Sequence, residues 1–356
     1  MKIRNIVCVS VLILFGGALF LPADEGGETL LSDLSGLQLS LDGADHYYWI
    51  TPEKGRVVLN RPCVPMTEDC DHEVLVVWDE GGQPVFEQAP LLDIPDMSQG
   101  SIFDSTLAAP NRLIVSTITG NGPFKNVLAE YDVDNRELLR VNPTGSVRCR
   151  NVLGDNEGTI WCLGTDLVKR KNDEEYDLVY RFDAAGNLLG SSLPRSAFSE
   201  TPGPLSILKR PDGYGGFLPG DGKIRLWLPA VEELITFDVD GRVLDRLTLP
   251  TVEDLLQARL VTAPNDEVYA ELISGTDARN SDSWTHGLFR LTHDGALWTP
   301  LEDPPVHLPL RITLSGADDE GLILLDRESL TLLWHPVATD SAIEEMADPS
   351  ITDSVQ

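Results

Sequence analysis

Apolar and polar positions alternate along most of this chain, and the breaks are filled by Gly, Asn, Asp and Pro. Alternation with a period of two means strands with one buried face, and such breaks mean tight turns. In LVYRFDAAGNLLGSS, Leu178 to Ser192, one strand runs to a turn at Ala184 to Gly186 and a second strand leaves it. Versions of this stretch begin at Val74 (VLVVWDEGGQPVFEQ), Val127 (VLAEYDVDNRELLRV), Glu233 (ELITFDVDGRVLDRL) and Gly287 (GLFRLTHDGALWTPL). The aligned turn residues, Gly82, Asn135, Gly186, Gly241 and Gly295, fall 51 to 55 residues apart. A fixed spacing of this size marks a repeat architecture, here with an all-strand unit.

A second hairpin precedes each of these units. The copies begin at His46, Ser105, Arg150, Ser206, Arg259 and Arg311, and their turns carry Pro, Gly, Asn or Asp. Joining the halves gives a four-stranded antiparallel meander repeated six times. The sixth copy runs out after TLLWHPV without an outermost strand, while LQLSL, Leu37 to Leu41, is a strand without a unit. Placing that strand on the last sheet closes a ring and removes two exposed edges. The pattern therefore predicts an all-β, six-bladed propeller over residues 24–337, closed by an N-terminal strand. Residues 338–356, acidic and rich in Ser and Thr, read as a disordered tail.

The recurring F-D-x-x-G-x-L-L, with D-x-x-G-x-I/V before it, is carried by stretches such as RFDAAGNLL (Arg181 to Leu189) and DNEGTIW (Asp155 to Trp161). In this pattern the chain resembles NHL and SMP-30-type six-bladed propellers over roughly residues 36–337. For the lactonases of the second group the resemblance implies one divalent cation, calcium for instance, held by carboxylates and amides of the inner strands. At the inner-strand starts only Asp104 and Asn151 offer such oxygens, so that site does not carry over and no metal-binding residue is assigned. The six histidines show no metal-ligand spacing, and no nucleophile motif is present. A divalent-cation-dependent hydrolase is the alternative reading, and the leaning is towards a protein that is not an enzyme.

Charge narrows the partners. The formal net charge is −30, from 57 acidic against 27 basic residues, which argues against nucleic acid and anionic membranes. Residues 1–23 have a basic start (Lys2, Arg4), an apolar run from Ile6 to Leu21 and small residues at Ala18 and Ala23, the features of a Sec-type signal peptide. The expected product is a periplasmic or secreted monomer with no stable membrane insertion after cleavage. Four cysteines then remain, Cys63, Cys70, Cys149 and Cys162, and an even count in an exported chain suggests disulfides. About a turn at Asp155-Asn156, Cys149 and Cys162 are equidistant, which predicts that they face each other at a non-hydrogen-bonded pair and bridge. Cys63 and Cys70 would close a short loop. A four-ligand zinc site would want closer spacing within each pair.

One column of aligned residues has chemistry. The residues opening the inner strands are Tyr47, Asp104, Arg150, Ser206, Arg259 and Arg311. Three arginines at equivalent positions in a chain poor in basic residues suggest a ring around the channel that holds an anion. Ion pairs with acids of neighbouring blades are the other reading of the same arginines. The column one residue earlier, which includes Phe103 and Cys149, is apolar, so parity matters to the assignment. The expected function is a binding module that engages a small anionic ligand or a protein partner at the channel mouth.

Overall fold

The computed structural model describes residues 34, 36–39, 49–54, 56–61, 75–88, 94–95, 101–119, 125–155, 157–198, 209–210, 213–218, 223–277, 283–301, 308–309 and 311–337. The signal-peptide reading, Tyr47, Cys63, Cys70, Ser206 and the tail lie outside the described residues.

The strands fold into sheets in chain order, each sequential strand pairing antiparallel with the one before it. Blade 1 is β1 (Trp49–Glu53), β2 (Arg56–Arg61), β3 (Leu75–Trp78) and β4 (Pro84–Gln88). Blade 2 is β5 (Ser101–Ala109), β6 (Arg112–Thr119), β7 (Lys125–Asp132) and β8 (Glu137–Pro143). Blade 3 is β9 (Val147–Gly154), β10 (Ile160–Asp166), β11 (Asp177–Phe182) and β12 (Leu188–Pro194), with a helix α1 (Leu167–Lys171) between β10 and β11. A short hairpin, β13 (Lys209–Arg210) with β14 (Gly213–Tyr214), comes next. Blade 4 is β15 (Gly216–Leu218), β16 (Ile224–Leu228), β17 (Glu233–Phe237) and β18 (Val243–Thr248). Blade 5 is β19 (Leu255–Thr262), β20 (Val268–Gly275), β21 (Trp284–Leu291) and β22 (Trp298–Pro300). Blade 6 has three strands of its own, β23 (Ile312–Ala317), β24 (Gly321–Asp326) and β25 (Thr331–Pro336).

The result is a six-bladed β-propeller. The first strand of each blade is innermost: β5 lies on β9, β9 on β15, β15 on β19, β19 on β23, and β23 on β1. The alternating apolar residues explain the ring. Each sheet buries both faces against its neighbours, so the core divides into six clusters, one per blade interface. Trp161, fully buried, fills the interface of blades 3 and 4 with Phe217 and Phe237. The N-terminal segment closes the ring as expected. Gly36 and Leu39 donate backbone hydrogen bonds to Leu332 O and Leu330 O, at 2.8 and 2.9 Å, and Leu332 N donates to Leu37 O at 2.9 Å. Leu34 and Leu39 are buried in the cluster between blades 6 and 1.

Turn chemistry follows the sequence in four of the five outer hairpins, where Gly82, Gly186, Gly241 and Gly295 take φ of 72°, 82°, 81° and 72°. In blade 2 the left-handed residue is Arg136, φ 57°, because Asn135 is taken by the Asp132 carboxylate through its backbone and side-chain nitrogens, each at 2.9 Å. Blade 4 differs from the sequence reading. The expected inner hairpin gives only the short β13–β14 pair, Arg210 facing Gly213, outside the four-stranded sheet. The inner strand is instead β15, drawn into place because β16, buried at every position, pairs with it.

Candidate anion-binding site

The register of β9 makes the site. Leu163 of β10 pairs with Asn151, and the next residue, Gly164, pairs with Cys149, so Arg150 has no residue opposite it. It occupies a β-bulge, a device that takes a side chain out of the strict alternation of its strand. In blade 2, Ser116 pairs with Asp104 and Thr117 with Ile102, which leaves Phe103 at the equivalent bulge. The two bulge residues meet. The Arg150 guanidinium carbon lies 4.2 Å from the centroid of the Phe103 ring, and that of Arg148 lies 5.8 Å from it. Such stacking favours a cation through the negative face of the ring.

A third cation stands nearby on α1. The Asp166 carboxylate caps this helix by accepting from Val168 N at 3.0 Å and Lys169 N at 3.1 Å, which sets the turn that carries Arg170. Burial, then the charges of Arg148 and Arg170, pull the Arg150 guanidinium below its ordinary pKa. Burial, then Arg170, does the same to Arg148. Arg148 Nε donates to Asn126 Oδ1 at 3.3 Å. Among the described residues, the half-buried Arg150 guanidinium meets no carboxylate and no hydrogen-bond acceptor. Clustered, partly desolvated cations without a counter-charge favour an anion between them.

The residues on either side of the bulge are tied down. Ser116 Oγ donates to Cys149 O at 2.9 Å. Asn151 Nδ2 and Val152 N donate to Asp104 Oδ2 at 2.6 and 2.9 Å, and Phe217 N donates to Asn151 Oδ1 at 2.6 Å. Asp104 and Asn151 thus strap blade 2 to blade 3 and blade 3 to blade 4. The Cys149–Cys162 disulfide forms, with a Cα separation of 5.3 Å. Its geometry differs from the expected one. Gly154 pairs with Ile160 and not with residue 157, so the turn is longer than two residues; Cys162 then faces Val152, Cys149 faces Gly164 past the bulge, and the bridge runs diagonally.

The other residues of the aligned column are placed elsewhere. Arg259, buried, lies opposite Glu271 on β20 and donates from Nη1 to Thr313 Oγ1 at 2.8 Å. Burial pushes its pKa down to about 10, against the pull of the Glu271 charge. Arg311 is exposed and pairs with Glu328 Oε2 at 2.6 Å and Asp326 Oδ2 at 3.5 Å. Among the described residues, Arg150, Arg259 and Arg311 have no charged neighbour in common. The acids beside Arg259 and Arg311 belong to their own blades, Glu271 on β20 and Asp326 and Glu328 about the β24–β25 turn, and not to a neighbouring blade. Because of the bulges, Asp104 corresponds to Asn151, and Phe103 to Arg150.

Sequence reasoning missed Arg148, Arg170 and Phe103. The spacing Arg148-x-Arg150, in a chain with 27 basic residues among 356, was the available signal. It also missed a buried network between blades 5 and 6. Glu271 Oε1 lies 2.9 Å from His286 Nε2, while its Oε2 accepts from Thr313 Oγ1 at 2.9 Å and Leu314 N at 2.8 Å. His286 Nδ1 is 3.0 Å from Leu308 O. Glu271 and His286 are 1% and 3% exposed.

The end of the ring that carries the inner hairpin turns is crossed by a side chain. Lys54, on blade 1, reaches past blade 2 to the Asp155 carbonyl of blade 3 at 3.3 Å. Burial pulls its ammonium below the ordinary value, against the charges of Glu53 and Asp155. Arg148 and Arg150 sit towards the other end of β9, away from that turn. Among the described residues no group of three or more His, Cys, Asp or Glu is placed to hold a metal ion, and no helix is long and apolar enough to cross a membrane.

No protein-family model matches the chain, and no curated protein matches it. Solved structures share the general shape at low identity. A member of the DUF4221 family from Bacteroides vulgatus is 11% identical, with 85% of this chain and 96% of that one covered and a TM-score of 0.49. Hydrazine synthase from Kuenenia stuttgartiensis is 11% identical, over 81% and 78%, with a TM-score of 0.46. A virginiamycin B lyase from Staphylococcus aureus is 12% identical, over 82% and 96%, with a TM-score of 0.38. At these scores the likenesses say nothing about ligand or activity.

Proposed function

We propose that this protein is an exported propeller that binds a small anionic ligand at the channel mouth on the Arg148, Arg150 and Arg170 side. The single observation that carries the reading is the state of Arg150. It is half-buried, stacked on Phe103 and flanked by two further arginines, with no acid beside it among the described residues. That is unusual in a chain with a net charge of −30, where acids are plentiful. A guanidinium on an aromatic face keeps its N–H edges free in the plane of the group, which suits bidentate capture of a carboxylate or phosphate. The basic start and apolar run of residues 1–23, together with a disulfide, support export to an oxidising compartment. The SMP-30-type hydrolase reading finds no supporting group among the described residues.

A thermal-shift panel on the mature, oxidised protein tests this, with sugar acids, dicarboxylates, citrate and phosphate set against calcium, zinc and a chelator. An anion at about a hundred times its Kd should stabilise by about 2.7 kcal/mol. Arg150→Gln should remove that shift while leaving the unliganded melting temperature in place. A shift from calcium alone, reversed by the chelator, would replace this reading with the hydrolase.

A further inference from the structure

The disulfide stands inside the candidate site rather than beside it. Cys149 lies between Arg148 and Arg150, and the register of β9 changes at this point. A bulge is one of two ways to pair a strand; the other is to slide by one residue, which turns side chains to the opposite face. In the slid register Arg150 would face β10 directly, and its guanidinium would leave the Phe103 ring. Something must select the bulged register.

Three constraints converge on it. The Cys149 and Cys162 sulfurs are covalently joined although neither residue faces the other, a pairing that the regular register between Asn151–Leu163 and beyond would not give. Gly164 leaves the room for it. A Cβ there would stand 2.5 Å from Arg148 O and 3.2 Å from Cys162 Sγ, so no other residue fits against the bulged backbone. Ser116 of blade 2 supplies the hydrogen bond that Cys149 O receives from outside its own hairpin. Of these, only the disulfide is covalent. Asn151, on the far side of the bulge, is held by Asp104 and by Phe217 N, so both flanks of the bulge are fixed.

We propose that the Cys149–Cys162 bridge is the positioning element of the anion site: it locks the bulge that holds Arg148 and Arg150 over Phe103, and ligand affinity depends on it beyond its contribution to stability. This rests on the anion-binding reading given above. Cys149 and Cys162 are positioning residues, since their sulfurs are buried in the cluster between blades 2 and 3 and do not face the ligand.

The test uses citrate and inorganic phosphate as probes in titration calorimetry on the mature protein, at a temperature well below every variant's melting point. Four variants are compared: Arg150→Gln, Cys149→Ala with Cys162→Ala, Gly164→Ala, and Leu314→Ala. The last lies in the cluster between blades 5 and 6 and serves as a destabilised control away from the site. The expected result is a loss of affinity of at least tenfold in Arg150→Gln, in the double cysteine variant and in Gly164→Ala, which keeps the disulfide but crowds the bulge. Leu314→Ala should bind as the parent does. If the double variant does not fold, the single variant Cys162→Ala, which also lacks the bridge, takes its place. Parent-like affinity in the double variant or in Gly164→Ala, with Arg150→Gln still impaired, overturns the positioning role and leaves the site standing. Binding that ignores Arg150→Gln, or no binding of either probe by the parent, overturns the site and the positioning role together.

Discussion

Blades 3 and 5 each carry an arginine in the middle of the innermost strand, and the two are treated in opposite ways. Arg259 faces Glu271 across the β19–β20 pair, and Thr313 of the next blade accepts from one and donates to the other. Its charge is settled inside the fold. Arg150 sits on a bulge, faces an aromatic ring, and has two arginines for charged neighbours. A buried charge that meets its counter-charge internally is a structural strap. One left half-buried among like charges is poised for a charge from outside. The two arginines should therefore differ energetically, the first costly to disturb and the second not.

The largest expected effect comes from breaking the balanced side. Glu271→Gln leaves Arg259 and His286 without their carboxylate, and unpairing a buried charge costs about 3–5 kcal/mol. The urea midpoint should fall accordingly. Arg150→Gln should change stability by less than about 0.5 kcal/mol in either direction, because the stacking lost on Phe103 is offset by relief of the repulsion from Arg148 and Arg170. Equal losses in the two variants would erase the distinction between the blades.

Acid sharpens the same contrast. Burial works against the Glu271 carboxylate, but hydrogen bonds from His286 and Leu314 N and the charge of Arg259 outweigh it, and its pKa is held below the usual 4.5. The sign follows from that direction. A carboxyl whose pKa is lower in the folded state gives stability that is present above its unfolded pKa. That stability is lost as pH falls through the folded value. Urea midpoints measured from pH 6 down to pH 3 should therefore drop more steeply in the parent than in Glu271→Gln. Parallel curves would mean that the carboxylate is not ionised in the folded protein.

Much of the fold was legible because it rests on period two and on turn residues. Gly186 and Gly241 mark turns in the sequence and adopt left-handed φ in the structure, and Leu37 to Leu39, from the strand left over from the repeats, pair with the last blade. The candidate site was legible only in part, for a definite reason. A bulge adds one residue to one strand without any compositional mark, so aligning blades by their turns put Arg150 in register with Asp104. The register of hydrogen bonds puts it with Phe103. An assumed two-residue turn made Cys149 and Cys162 look directly opposed, whereas Gly154 pairs with Ile160 and the longer loop makes their bridge diagonal. Glu271 and His286 sit on second and third strands, outside the column that was compared.

Arg311 provides the smallest effect and a limit on the comparison. It is the third arginine of the aligned column, it has acidic partners as Arg259 does, and yet its side chain is 53% exposed. Glu328, its nearer partner, is 72% exposed, and Asp326 is 13% exposed. If having a counter-charge were what makes an arginine structural, Arg311→Gln should cost as much as disturbing Arg259. If burial is what gives the counter-charge its weight, the pair is screened by water and worth only about 0–1 kcal/mol. The second outcome is expected, with the loss shrinking further as salt is raised to 1 M, where the screening length falls to about 3 Å. Citrate and phosphate affinity should be untouched by Arg311→Gln, because its charged neighbours are the acids of the β24–β25 turn and not the arginines of blade 3. A clear fall in anion affinity in this variant would restore the three-arginine ring and displace the bulge-centred site.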